Sequence, residues 1–332
     1  MSDIGAQKYL DVKDSPGQYL YEYRLLDRIT RMDRSKLKKT YTERKLKQVF
    51  GWINAGRGLG RGESYSPWIR ITRGFSSPVS HQMFSSLSIH KRNHHFLSKL
   101  EHHTALQLAY LGAVELRECL PLWPTEHQHP IEIDPKARTV GLMDIARDAG
   151  IEHGNFVGSD VPYIASVDMM ATIQWQGKTH HLGVSCKPKE ILMGSIRAQE
   201  RATLDEIYCR MVGAMHLREG GSQFNPTLVK NLQAYQPAQH EVLKWASTGQ
   251  LQDFCNHLNL SYDGQPLHAA ITQAGKVVRI GDPLASTLWR VGAWVHLIDI
   301  DMGQRISMLK PIKRGKDRCL GLLAAHFLGD AK

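Results

Sequence analysis

Residues 163–187 read YIASVDMMATIQWQGKTHHLGVSCK, and this stretch decides how the rest of the chain is read. Residues 163–175 and 180–186 have strand character, and Gln176-Gly177-Lys178 between them supplies a turn, so the two runs are expected to pair as a hairpin. Asp168 interrupts the first strand between Val167 and Met169, where a carboxylate is costly to bury unless it is paired or bound to a cation. Lys187 ends the second strand, one strand away. From these residues alone two readings stay open: a buried ion pair between Asp168 and Lys187, or a site in which both act on a ligand.

Upstream, Leu97, Leu100, Thr104, Leu108 and Leu111 keep a spacing of three or four within a helix expected over residues 95–116. Ser98 is placed to cap it, and Glu101 then falls at the third helical position, completing a Ser-x-x-Glu capping box. Downstream, residues 191–211 turn helical again and 213–217 form a short strand candidate. Beyond Asn225-Pro226 come short helices over 226–234, 238–247 and 251–258, then a helix over 283–291. Strand candidates at 294–300 and 305–309, turned at Met302-Gly303-Gln304, complete the helix-then-ribbon order of a winged helix. The expected organisation is α/β: a basic extension over 1–55, a mixed sheet flanked by helices over 56–222, and a winged-helix-like α+β part over 223–332.

The chain has 332 residues, and its 42 Lys and Arg against 32 Asp and Glu give a net charge of +10, a balance that points to a polyanionic partner. Arg34, Lys36, Lys38, Lys39, Arg44, Lys45 and Lys47 face one acid, Glu43, while Leu46, Val49, Phe50 and Ile53 recur at helical spacing behind a Thr42 cap. One face of that helix would pack and the other would meet phosphate or stay solvated. Next, GRGLGRG over 56–62 lacks the Gly-Lys-Ser/Thr ending of a phosphate-gripping loop. It reads as flexible backbone that lets Arg57 and Arg61 approach a phosphate chain. The longest apolar run, 104–116, contains Gln107 and falls short of the roughly 20 residues of a membrane span. Five scattered cysteines and the lack of a secretory signal pattern suit a reducing cytoplasm. His94, His95, His102, His103, His180 and His181 invite a zinc reading, but no cysteines at short spacing join them. His95 or His102, near Glu101, would instead line the DNA side of a site.

An acid in one strand with a lysine ending the next is the minimal PD-(D/E)xK nuclease pattern. Phosphodiester hydrolysis needs a hard cation to neutralise the phosphate in flight, carboxylates to hold it, and a group that orients the attacking water. Further motifs sharpen this. GRGLGRGESYSPW at 56–68, HHFLSKLE at 94–101, LRECLPLWP at 116–124, Ser166-Val167-Asp168 and Cys186-Lys187-Pro188 follow one another in the order seen in the TnsA family. The chain resembles that family, the 5′-end-cutting endonuclease subunits of Tn-seven-like heteromeric transposases in the restriction-endonuclease-like superfamily, over residues 42–220 and more faintly over 254–262 and 284–300.

The resemblance implies Glu101 and Asp168 as carboxylate ligands of Mg²⁺ or Mn²⁺, the Cys186 carbonyl as a further ligand, and Lys187 as the catalytic lysine. It also implies double-stranded DNA at transposon ends, a DDE-type transposase partner (TnsB) and an AAA+ ATPase regulator (TnsC) that binds the C-terminal part. Ser185 departs from the pattern: the superfamily carries Glu or Asp two residues before the lysine, and this family can carry Gln. A hydroxyl brings no charge and reaches less far. Two other readings therefore remain, a non-catalytic DNA-binding and assembly subunit, and a stand-alone restriction or repair nuclease.

Overall fold

A computed structural model describes residues 39–72, 83–261 and 263–329. In chain order these residues form helix α1 (Lys39–Asn54), strands β1 (Met83–Ser86) and β2 (Asn93–Phe96), helix α2 (Lys99–Leu111), strands β3 (Ala113–Leu122), β4 (His127–Gln128) and β5 (Arg138–Thr139), and helix α3 (Leu142–Asp148). Strands β6 (Ala165–Trp175) and β7 (Lys178–Cys186), helices α4 (Lys189–Met193) and α5 (Ile196–Met211) and strand β8 (Met215–Glu219) follow. Helices α6 (Pro226–Tyr235), α7 (Gln239–Trp245), α8 (Gly249–Ser261), α9 (Leu267–Val277), α10 (Asp282–Trp294) and α11 (Lys316–Leu328) complete it.

The hairpin expected around Asp168 is β6–β7, closed at Trp175↔Lys178 by Gln176 and Gly177. Both turn residues have left-handed φ (49° and 75°), as a two-residue turn of this hand requires. β3 pairs antiparallel with the outer side of β6, and β8 pairs parallel with β7, giving a mixed sheet of order β3-β6-β7-β8. A parallel neighbour needs a crossover, and α5 provides it.

Alternation along the strands sorts their side chains between two cores. On one face Met169, Ala171, Leu182 and Val184 pack with Ala105 and Leu108 of α2, in a core that continues to Phe254, Leu288 and Trp289 of the C-terminal helices. On the other face Met170 packs with Leu142 and Ile145 of α3 and with Leu204 and Tyr208 of α5, in a core that Val167 and Leu120 also join near the start of β6. Gly183 permits the close approach of α5, because a Cβ there would lie 2.3 Å from Cys209 Sγ. The α/β architecture is thus the mixed sheet flanked by helices that the sequence implies, consistent with a restriction-endonuclease-like fold.

Several boundaries differ from expectation. The helix expected over 95–116 is shorter at both ends: His95 and Phe96 belong to β2, and Gly112, at φ 114°, ends α2 so that 113–116 enters β3. The run 191–211 breaks at Gly194-Ser195, where Ser195 Oγ accepts the Ala198 N–H and caps α5. α1 begins before Thr42, whose buried hydroxyl accepts the Asp160 N–H instead of capping. Val49 and Ile53 seat α1 against Trp68 and Trp123, as its apolar spacing predicts. The 56–62 loop is folded back rather than extended: Gly58 N–H donates to Ser66 O, and a Cβ on Gly58 or Gly60 would strike Pro121 or Ser64.

The ribbon expected at 294–309 does not form, and 295–315 lies outside any described helix or strand. His296 turns left-handed (φ 64°), and Ile298 and Ile300 bury fully in an irregular connection. The carbonyls of Met308 and Lys310 accept the His268 and Leu267 N–H groups, which satisfies the free donors of the first turn of α9 instead of a partner strand. Among the described residues no helix is long and apolar enough to cross a membrane.

Candidate active site

Glu101 enters the site from the first turn of α2. Ser98 Oγ accepts the Glu101 N–H, and in return the Glu101 carboxylate accepts the Ser98 hydroxyl at 3.0 Å and the Leu97 N–H at 2.8 Å. The capping box therefore forms, with its return bond shifted one residue upstream. It leaves the side chain 5% exposed and fixed in direction.

Asp168 sits in the sheet at a position framed by its neighbours. The pairs Glu118↔Met169 and Leu120↔Val167 place Cys119 opposite it on β3, and Met169↔Val184 places Ser185 opposite it on β7. Asp168 Oδ2 accepts the Cys186 N–H at 2.7 Å. Cys119 adopts a left-handed φ of 47° within its strand, a conformation that costs about 1–3 kcal/mol and is retained mostly where function fixes the geometry.

The two carboxylates, distant in sequence, come near enough for their charges to couple. Burial, and then the Asp168 charge, push the Glu101 carboxyl up to about 8 despite its hydrogen bonds and the ammonium of Lys187. Burial and Asp205 push Asp168 up to about 6 against the Cys186 N–H and Lys187. Lys187 itself is exposed, and its N–H is held by Glu219 O at 2.9 Å. Two electrostatically coupled carboxylates held away from solvent are stabilised by a proton or by a hard cation, and oxygen is the donor that Mg²⁺ and Mn²⁺ take. The donor set thus fits such an ion. Among the described residues no group of three or more His, Cys, Asp and Glu stands together to hold a metal, so the remaining ligands would be main-chain oxygen and water.

Ser185 is occupied. Its hydroxyl donates to Asp205 Oδ2 at 2.9 Å, and its one proton being spent, His216 Nε2 at 2.9 Å is the donor to its oxygen. Asp205 is 5% exposed and is paired with Arg201 one turn earlier on α5. Sequence reasoning missed Asp205, Arg201 and His216, and also Tyr163, whose phenol has Arg201, Cys119 and Asp168 as electrostatic neighbours. Helical spacing relates Arg201 to Asp205, but nothing local ties either to Ser185.

The expected phosphate contacts fare differently. Arg44 is exposed on α1, and Lys45 reaches Gln48 and lies 5.1 Å over the Phe156 ring. Lys38 lies outside the described residues, and of Lys39 only the backbone is described. Arg57 packs over Trp52 at 5.0 Å, and burial and the neighbouring Arg70 charge lower its pKa, so two cations stand side by side there. Arg61, although exposed, is tied to the carbonyls of Pro130, Ile131 and Glu132, which makes it a clamp on that loop. His95 is buried, and its Nδ1 accepts the Ile71 N–H; burial and nearby arginines hold it down to about 4, and therefore neutral at physiological pH. The adjoining histidines belong to the core, with His94 stacked between His90 and Phe96.

Comparison with known proteins agrees with the motif reading. The chain is 28% identical over 189 residues to the transposon Tn7 transposition protein TnsA of Escherichia coli, a match covering 56% of this chain and 61% of that protein. The chain thus spans about three fifths of the length of that relative. No protein-family model matches it.

Proposed function

We propose that this TnsA-like chain is the endonuclease subunit of a Tn-seven-like transposition complex, hydrolysing one DNA strand at each transposon end to leave a 5′ phosphate and a 3′ hydroxyl. What supports the proposal is that Glu101, held by its cap, and Asp168, held by the Cys186 N–H at the end of β7, lie near enough to act on each other and on Lys187, which begins the next segment. A Mg²⁺ or Mn²⁺ held there would neutralise charge on the transferred phosphate and acidify a bound water. Lys187 would orient the attacking water and favour its deprotonated form, being the exposed cation next to both acids. The fixed Glu101 and Asp168 side chains supply direction without reorganisation, Glu101 through its cap and Asp168 through the Cys186 N–H.

Exposed Arg44 and the Arg57–Arg70 pair suit phosphate contacts that position a duplex without reading its sequence, which leaves the choice of ends to a DDE-type transposase (TnsB) and regulation to an AAA+ ATPase (TnsC). The test is cleavage of transposon-end DNA by Asp168→Ala with Mg²⁺ and the partner transposase. Loss of 5′ cleavage with DNA binding retained is expected, and full 5′ cleavage would refute the assignment. The involvement of Ser185 with Asp205 and His216 favours one second reading, a DNA-binding assembly subunit with a decayed site. Absence of Mn²⁺-dependent nicking by the wild-type chain in the assembled complex would select it.

A further inference from the structure

The strand position two residues before Lys187, where the nuclease pattern expects an acid, holds a serine whose hydroxyl is bonded to an acid from another element. Asp205 reaches Ser185 from α5, on the face of the sheet opposite α2, and both its oxygens are engaged, Oδ2 by Ser185 and Oδ1 by Arg201. Both partners tie it down on the α5 side of Ser185. Its charge still acts on the site, since Asp168 has Asp205 as an electrostatic neighbour and Lys187 faces Asp205 as well as Glu101. Arg201 sits close enough to Asp168 to act on it too, and a guanidinium there repels any cation unless an acid holds and offsets it.

We propose that Asp205 is a positioning residue of the metal centre, supplying from α5 and across the Ser185 hydroxyl the negative charge that the pattern otherwise places on the strand, while holding Arg201 away from the bound cation. The inference rests on the nuclease reading of Glu101 and Asp168. In this arrangement the His216–Ser185–Asp205–Arg201 chain of hydrogen bonds and charge also anchors the end of β7, because Ser185 directly precedes the Cys186 N–H that orients Asp168. Outer-shell partners of this kind are worth roughly 10–100-fold in metal affinity.

The experiment is Mn²⁺ binding by calorimetry to the full chain, with folding followed by near-ultraviolet circular dichroism. Asp205→Asn is expected to weaken Mn²⁺ binding by about 10-fold or more, whereas Glu206→Gln, removing a more exposed acid from the next position of the same helix, leaves it unchanged. The double variant Ser185→Asp/Asp205→Ser returns the charge to the strand and is expected to regain most of the lost affinity. That double variant carries the test if Asp205→Asn fails to fold. Folded Asp205→Asn binding Mn²⁺ as wild type, or a folded double variant that regains nothing, overturns the role of Asp205. Asp168→Ala separates the two levels: wild-type Mn²⁺ binding by that variant sinks the nuclease reading itself, whereas loss there with no loss in Asp205→Asn sinks only the present inference.

Discussion

Replacing Glu101 with Gln is expected to make the metal-free protein more stable at alkaline pH while destroying its affinity for Mn²⁺. The Glu101 carboxyl, ordinarily near 4.5, is pushed up to about 8 by burial and by Asp168. A raised carboxyl means that the folded chain holds a proton which the unfolded chain has released. Stability from this group is therefore fully present below about 4.5 and is lost as pH climbs through 8. The shift is 8 − 4.5 = 3.5, which at 1.36 kcal/mol per unit is on the order of 4–5 kcal/mol. At about 2 cal/mol/K of unfolding entropy per residue, a chain of 332 residues would lose roughly 6–8 °C in Tm. Glutamine keeps an oxygen for the Leu97 N–H but carries no charge, so the Tm difference between the Glu101→Gln variant and wild type should grow from near zero at pH 5 to that size above pH 8. Buried neutral histidines such as His127, held down to about 4, pull wild-type stability the other way at acid pH, and for that reason the difference between the two proteins is the quantity to read. The assay is calorimetric unfolding in EDTA across this range, repeated with Mn²⁺, which should stabilise wild type alone. An identical pH dependence for both proteins in EDTA would refute the reasoning.

Two further substitutions test the frame around the site. Gly183→Ala drives a Cβ to 2.3 Å from Cys209 Sγ, so a loss of about 1–3 kcal/mol is expected in urea unfolding, reduced when Cys209→Ala is added. Arg92→Met strands the fully buried Glu118, which Arg92 holds through two bonds of 2.7 and 2.8 Å. A loss of about 3–5 kcal/mol is expected from that unpaired carboxylate, and Glu118→Gln in the same background should recover most of it; no recovery would argue against charge burial as the cause.

What could be read from the sequence follows the range of the forces involved. The β6–β7 hairpin was legible because strand alternation and a Gln-Gly turn are local signals, and Glu101 was legible because a capping box spans four residues. The ends of α2 were not, because Gly112 lies inside an apolar run whose later part suits a buried strand as well as a helix. The ribbon at 294–309 misled because its apolar residues bury in an irregular path, while its carbonyls serve α9. Arg57 and Arg61 looked equivalent in the glycine-rich segment, yet one stands beside another cation and the other is bound to three carbonyls. Asp205 was invisible because its meeting with Ser185 depends on how the crossover helix lies on the sheet.

α2 has one further consequence through its far end. Thirteen residues make a rod about 20 Å long, with Glu101 at its start and Tyr110 near its close. Tyr110 is wedged against Trp294 and His296, at ring separations of 5.6 and 4.9 Å, and His296 Nε2 donates to its carbonyl at 2.8 Å. The rod is thus pinned at both ends, by the cap beside the carboxylate pair and by the tail of α10. A chain trimmed after β8 would lose the second pin and bare the apolar flank of α2, so the aim of Glu101 depends on residues far beyond the sheet that carries its partner.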